Sequence, residues 1–159
     1  MQPTIRKANL NDLAEVSRLN LDLFKIQHEF DPTASLDWTL SQDGQEYFKS
    51  RISQENSFVE IAETENGKLI GYIIGTILTP RPWRTPGIYA ELESIFVEKE
   101  HQGSGLGSKL INNFVDWCKT NKVNRTSLLV DPKNKSAIEF YKKYGFKDYD
   151  LVMELDLEK

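Results

Sequence analysis

Apolar residues recur along this chain at two different spacings, and the switches between them outline its elements. Thr4 to Ala8 reads as a short first strand. Asn11 and Asp12 can cap a helix, and Leu13, Val16, Leu19, Leu23 and Phe24 recur at helical spacing, which predicts a helix over residues 11–27. A polar and aromatic connection, His28–Leu40, leads to a second, more weakly periodic helix over residues 41–54. Phe58–Glu63 and Leu69–Leu78 read as strands joined at Asn66-Gly67, a dipeptide favoured where both central residues of a tight hairpin need positive φ. Gly71 and Gly75 lie inside the second of these strands, where glycine marks a bulge or a close backbone approach. A proline-rich loop, Thr79–Gly87, precedes the strand Ile88–Val97. Leu106, Leu110, Ile111, Phe114, Val115 and Cys118 form a helical stripe, and Thr126–Val130 reads as a buried strand ended by Asp131-Pro132. Asn134 can cap a last helix with Ala137, Ile138 and Tyr141 inward, and Gly145 is placed to stop it in a left-handed conformation. Tyr149, Leu151, Met153 and Leu155 alternate as a half-buried strand does.

The order is strand, two helices, three strands, helix, strand, helix, strand. It predicts a mixed α+β protein with helices packed on a sheet. No repeat, low-complexity tract or linker interrupts it, so residues 1–159 read as one domain.

Composition narrows the function. With 39% apolar and 11% aromatic residues the chain can bury a core. A net charge of −4 argues against non-specific nucleic-acid binding, which needs a concentrated basic surface. Cys118 is the single cysteine, which excludes an internal disulfide and a cysteine-cluster metal site, and its helical position reads as a structural thiol. His28 and His101 lie far apart and do not resemble a metal-ligand pair, so no metal is expected. No apolar stretch approaches the ~20 residues of a spanning helix. The N-terminal residues 1–7 lack the apolar core of a signal peptide. A cytoplasmic protein with no membrane contact is expected.

Three of the nine glycines fall in the segment His101-Gln102-Gly103-Ser104-Gly105-Leu106-Gly107-Ser108, between the apolar Ile95-Phe96-Val97 and a helix. Glycine allows close approach to a ligand and dihedrals that a Cβ forbids. Exposed N–H groups at a helix start favour negative charge, so a strand, a glycine turn and a helix start together form a phosphate holder. The dinucleotide fingerprint Gly-x-Gly-x-x-Gly is not met, because this turn reads Gly-x-Gly-x-Gly and lies late, after a hairpin. A P-loop is excluded as well, since Gly107-Ser108-Lys109 has the wrong order for Gly-Lys-Ser/Thr.

The turn resembles the signature of the GNAT superfamily of acetyl-CoA-dependent N-acetyltransferases: Arg or Gln, two residues, Gly, one residue, Gly or Ala. Gln102, Gly105 and Gly107 match it. Residues 134–146 resemble a second family block through Asn134, Ala137, Phe140-Tyr141 and Gly145-Phe146, and Ile5–Ala8 with Asp12-Leu13 also looks like the family. The resemblance implies a mostly antiparallel mixed sheet of six or seven strands with four helices packed on it. It implies acetyl transfer from acetyl-CoA to a primary amine of a small molecule or peptide, by direct attack in a ternary complex. The alternative is a non-catalytic coenzyme A-binding module of the same fold. The resemblance further implies that the fourth and fifth strands splay, that the pantetheine arm pairs with Ile95, Phe96 and Val97, and that the pyrophosphate meets the backbone of Gln102, Gly103, Ser104, Gly105, Leu106, Gly107 and Ser108. Asn134 is then expected to contact the pantetheine arm and Tyr141 to lie near the sulfur. Members of the family commonly form homodimers.

A lysine-type amine has a solution pKa near 10.4 and arrives protonated, so the site must remove a proton. Glu91 and Glu93 are the candidate bases, because residues two apart on a strand share a face; Glu91 also matches the catalytic glutamate position of histone-acetylating members. A plain polar strand face is the competing reading. Tyr141 is the candidate acid, its phenol carrying a transferable proton at neutral pH. The resemblance places the acceptor between His28–Leu40 and Thr79–Gly87, with Glu29, Trp38, Trp83 and Tyr89 as candidate contacts. Aromatics with carboxylates suit an amine cation. Arg81 and Arg84 can instead grip a carboxylate or phosphates.

Overall fold

A computed structural model describes residues 2–158, which form two compact units that divide between Leu129 and Val130. The first unit contains β1 (Thr4–Lys7), α1 (Leu13–Phe30), α2 (Gln42–Ser53), β2 (Ser57–Glu63), β3 (Leu69–Ile77), β4 (Tyr89–Val97), α3 (Leu106–Thr120) and β5 (Arg125–Ser127). Its strands lie in the order β1-β2-β3-β4-β5, antiparallel throughout except for the parallel β4–β5 pair. The second unit contains α4 (Lys135–Lys142).

Register sorts the two faces of the sheet. Ile61 pairs with Tyr72 and Val59 with Ile74, and these four pack with Val16, Leu19, Phe48, Ile52 and Phe96 beneath α1 and α2. The intervening residues point the other way. Phe58 pairs with Gly75, and the Phe58 ring lies 5.8 Å from that of Phe114 on α3. A Cβ on Gly75 would run into the Phe114 ring, so this glycine is the close backbone approach that its position implies. Covered on both faces, β3 is buried over all but its last residue.

Three expectations are corrected. First, α1 continues through Phe30, three residues past the expected end, until Asp31 precedes Pro32 and cannot stay helical. Second, at Asn66-Gly67 only Gly67 has positive φ (76°); the loop between the paired Glu63 and Leu69 is five residues long, and Gly67 N–H donates to Thr64 O at 2.9 Å. Third, five strands are present among the described residues rather than six or seven. Residues 149–155 carry the alternation but form no strand, and Leu151 and Val152, on opposite sides of it, are 79% and 69% exposed. Alternation specifies a strand only where a neighbouring edge supplies hydrogen bonds.

Gly44 lies in the first turn of α2. Its N–H donates to the capping Ser41 Oγ at 3.2 Å. A Cβ there would collide with the Trp38 carbonyl oxygen and lie 2.8 Å from that of Thr39. Glycine to alanine inside a helix ordinarily stabilises by about 1 kcal/mol. Here backbone would have to move, so Gly44→Ala is expected to destabilise by about 1–3 kcal/mol. Urea denaturation checks the sign, and a more stable variant would refute the packing.

Candidate active site

The turn between β4 and α3 is held by side chains and leaves its backbone donors open. Gln102 Nε2 donates to Val97 O at 2.9 Å, and Ser104 Oγ to His101 O at 2.6 Å. Upstream, Arg18 of α1 bridges to Glu98 at 3.1 Å and donates to Leu69 O at 3.0 Å, bracing the end of β4. Gly103 and Gly105 take φ of 76° and 84°, a region costly for any side chain, and a Cβ on either would stand in open space. The first α3 hydrogen bond runs from Lys109 N to Gly105 O at 3.1 Å. The N–H groups of Leu106, Gly107 and Ser108 therefore precede the helical ladder. They have the arrangement that favours an anion.

β4 opens beside this turn. Ile74 pairs with Ser94 and Gly75 with Leu92, which leaves Glu93 as an extra, bulged residue. A bulge bends its strand and reverses the side-chain alternation beyond it. Phe96 thus joins the core beneath α1 and α2, on the face that also holds Glu91. The parallel ladder to β5 ends at Glu91 and Ser127, so Ile95, Phe96 and Val97 have no β5 partner. The fifth strand is three residues long, rather than the five expected over Thr126–Val130, and its ladder to β4 stops at Glu91, short of the bulge.

The two carboxylates of β4 have different surroundings. Glu93 is engaged on both oxygens: Arg51 Nε and Nη2 donate at 2.7 Å each, and the Tyr47 hydroxyl donates at 2.9 Å. The Glu91 carboxylate accepts no hydrogen bond among the described residues, its backbone alone being paired, with Thr76 and Ser127. Burial first, and the charge of Glu93 second, raise its proton affinity above the ordinary carboxylate range; Arg81 and Arg51 oppose the rise.

In the second unit, Asn134 caps α4, its Oδ1 accepting from Ala137 N at 3.1 Å. Gly145 follows the helix with φ 86°, as its position predicts. Tyr141 packs edge-on against Phe140 and Phe146, with ring centroids 5.5 and 5.9 Å away. Desolvation pushes its phenol up to about 12, so it keeps its proton throughout the neutral range.

The sequence profile of the acetyltransferase (GNAT) family matches residues 21–146. The chain belongs to this family. An uncharacterised N-acetyltransferase of Methanocaldococcus jannaschii is 29% identical over 149 residues, covering 94% of this chain, which spans 62% of that relative's length. A thialysine N-epsilon-acetyltransferase of Sus scrofa is 25% identical over 147 residues, covering 91% of this chain and 84% of the relative. An aminoglycoside N-acetyltransferase solved in complex with CoA shares the fold, with a TM-score of 0.72 at 17% identity over 97% of this chain and 93% of that one.

The acceptor candidates from the GNAT resemblance are dispersed. Glu29 is exposed in the last turn of α1, not on a loop. Trp38 stacks on Phe24 at 5.7 Å and packs against Tyr47 at 5.4 Å, through which it reaches Glu93. Its connection is pinned by buried Thr39, whose hydroxyl donates to Asn20 Oδ1 at 3.0 Å, and Asn20 donates onward to the Tyr72 hydroxyl at 2.8 Å. Trp83 is 78% exposed beside the Arg81 guanidinium, and the Tyr89 hydroxyl donates to Thr85 O at 2.6 Å. The sequence reading missed Tyr47 and Arg51. Their four-residue spacing places both on one face of α2, which is the available signal, but nothing local names their partner. Cys118 is buried and its thiol is pushed up to about 11 by desolvation, in keeping with a structural role. Among the described residues no helix is long and apolar enough to cross a membrane, and no group of three His, Cys, Asp or Glu is placed to hold a metal ion.

Proposed function

We propose that this chain transfers an acetyl group from acetyl-CoA to a primary amine by direct attack in a ternary complex. The observation that carries the reading is the position of Glu91. It is a carboxylate with raised proton affinity and no hydrogen-bond partner among the described residues, and it stands on the last rung before β4 and β5 part. Family membership and the thialysine acetyltransferase relative support an amine acceptor.

The residues present fit coenzyme A. Open space at the positive-φ Gly103 and Gly105 admits a phosphate close to the backbone. The N–H groups of residues 103–108 suit its pyrophosphate without a cationic side chain, which reconciles an acidic chain with an anionic carrier. Ile95, Phe96 and Val97 offer an unpaired strand edge to the pantetheine arm, and Asn134 is assigned a contact with it. When bound, acetyl-CoA supplies a thioester whose C–S bond breaks as the N–C bond forms. Glu91 takes the proton from the attacking amine. Backbone N–H groups of the open β4 segment polarise the carbonyl oxygen. Tyr141, whose half-buried phenol holds its proton, is assigned the transfer of a proton to the departing sulfur. Glu93 is fully engaged by Arg51 and Tyr47 and is not the direct base.

Free-thiol release with acetyl-CoA against polyamines, amino acids, aminoglycosides and lysine peptides tests the reading. Amine-dependent release is expected, lowered in Tyr141→Phe. Stabilisation by coenzyme A with no release from any amine would make the chain a binding module, and the absence of both release and stabilisation would refute the assignment of the turn.

A further inference from the structure

The pair formed by Arg51 and Glu93 takes no direct part in the chemistry above, yet it is built with care. Both side chains are largely shielded, at 23% and 15% exposure, and both pairing distances are 2.7 Å. The Tyr47 hydroxyl adds a third donor to Glu93, and the Arg51 guanidinium lies 4.9 Å from the Tyr47 ring centroid. Glu93 is the bulged residue of β4, so α2 fixes it where the sheet ladder does not. Glu91 lies two residues back on the same face. The charges that face it are Glu93 from its own strand, Arg51 from α2 and Arg81 from the β3–β4 loop. Tyr47 stays a neutral phenol, because burial and Glu93 hold its proton on.

We propose that Arg51 and Glu93 are positioning residues for Glu91, a charge pair whose two members act in opposite senses on the proton held there. Two free carboxylates side by side would share a proton and titrate as a couple. Arg51 and Tyr47 instead occupy both oxygens of Glu93, so Glu91 is the carboxylate left to meet the amine. The negative member of the pair then strengthens the base, and the positive member limits the effect. The inference rests on the reading of Glu91 as the base.

The experiment needs no acceptor. Protein labelled with ¹³C-glutamate is titrated by NMR, and the Glu91 carboxyl signal is identified by its loss in Glu91→Gln. Glu93→Gln is expected to lower the Glu91 midpoint, and Arg51→Gln to raise it, each by about half a pH unit or more. Arg51→Lys, which keeps the charge, is expected to return the midpoint toward that of the unaltered protein. A purely structural pair would not split the two variants in opposite directions. Midpoints that stay put, or move the same way, overturn the inference. Glu93→Gln is nearly isosteric, and it decides the sign if Arg51→Gln does not fold. Thiol release by Glu91→Gln keeps the two readings separate: a fully active variant removes Glu91 as base, whereas moved or unmoved midpoints speak only to the pair.

Discussion

Replacing Gly107 by tryptophan is expected to abolish coenzyme A binding while leaving the fold intact. Gly107 is the second residue of α3, half-exposed, and follows Leu106, which is 3% exposed and anchors the helix start. Tryptophan is a better helix former than glycine by roughly 0.5 kcal/mol, so the helix itself is not penalised. An indole at this point covers the N–H groups of residues 106–108 that precede the first helical bond. Hydrogen bonds to a charged group contribute roughly 1.5–3 kcal/mol each, and losing two of them weakens binding by about 10²- to 10⁴-fold. Calorimetric titration with coenzyme A measures the loss, and an unshifted melting temperature shows that the fold survives. A folded variant that binds coenzyme A with unchanged affinity would sink the assignment of this turn.

Glu91→Gln is expected to lower kcat for amine-dependent thiol release by about 10²- to 10⁴-fold, the usual range for a lost general base. The pH dependence has a definite sign. A base must be deprotonated, so the unaltered protein gains rate as pH rises through the Glu91 midpoint, which lies above the ordinary carboxylate value of 4.5. The variant lacks that limb, so its deficit is greatest on the plateau and smallest at the acid end. Reading kcat rather than kcat/KM reports groups in the bound complex and avoids the ionisation of the free amine. Stability serves as a control. The folded state holds the Glu91 proton more tightly than the unfolded chain does. The stability this provides is complete below the unfolded value and is lost as pH rises through the folded one. At neutral pH glutamine therefore removes an unfavourable charge, and the rate falls without a fall in melting temperature. A variant that retains both rate and acid limb would exclude Glu91 from the chemistry.

Much of the molecule is legible along the chain because it depends on near neighbours. Gly103, Gly105 and Gly145 adopt the positive φ that their positions imply, and α3 begins at Leu106 directly after the glycines. The stripe Leu110, Ile111, Phe114 and Cys118 is buried as its spacing predicts, and Asn134 caps α4. The shared face of Glu91 and Glu93 was also readable from their two-residue spacing.

What separated those two carboxylates was not readable. The bulge at Glu93 exists because β4 must pair with Ile74 and Gly75 of β3, a match made across the sheet. The engagement of Glu93 depends on Arg51 and Tyr47, more than forty residues earlier and on a helix. The alternation of residues 149–155 misled for the same reason, since a strand needs an edge as well as a pattern. The sequence by itself determined the glycine turn before α3, the helices and the residue types available to the site, because backbone preference and amphipathic periodicity act within a few residues. Only the tertiary structure decided which carboxylate stands uncommitted and where β4 parts from β5. Pairing and desolvation arise between residues far apart in the chain, brought together by the packing of α2 on the sheet.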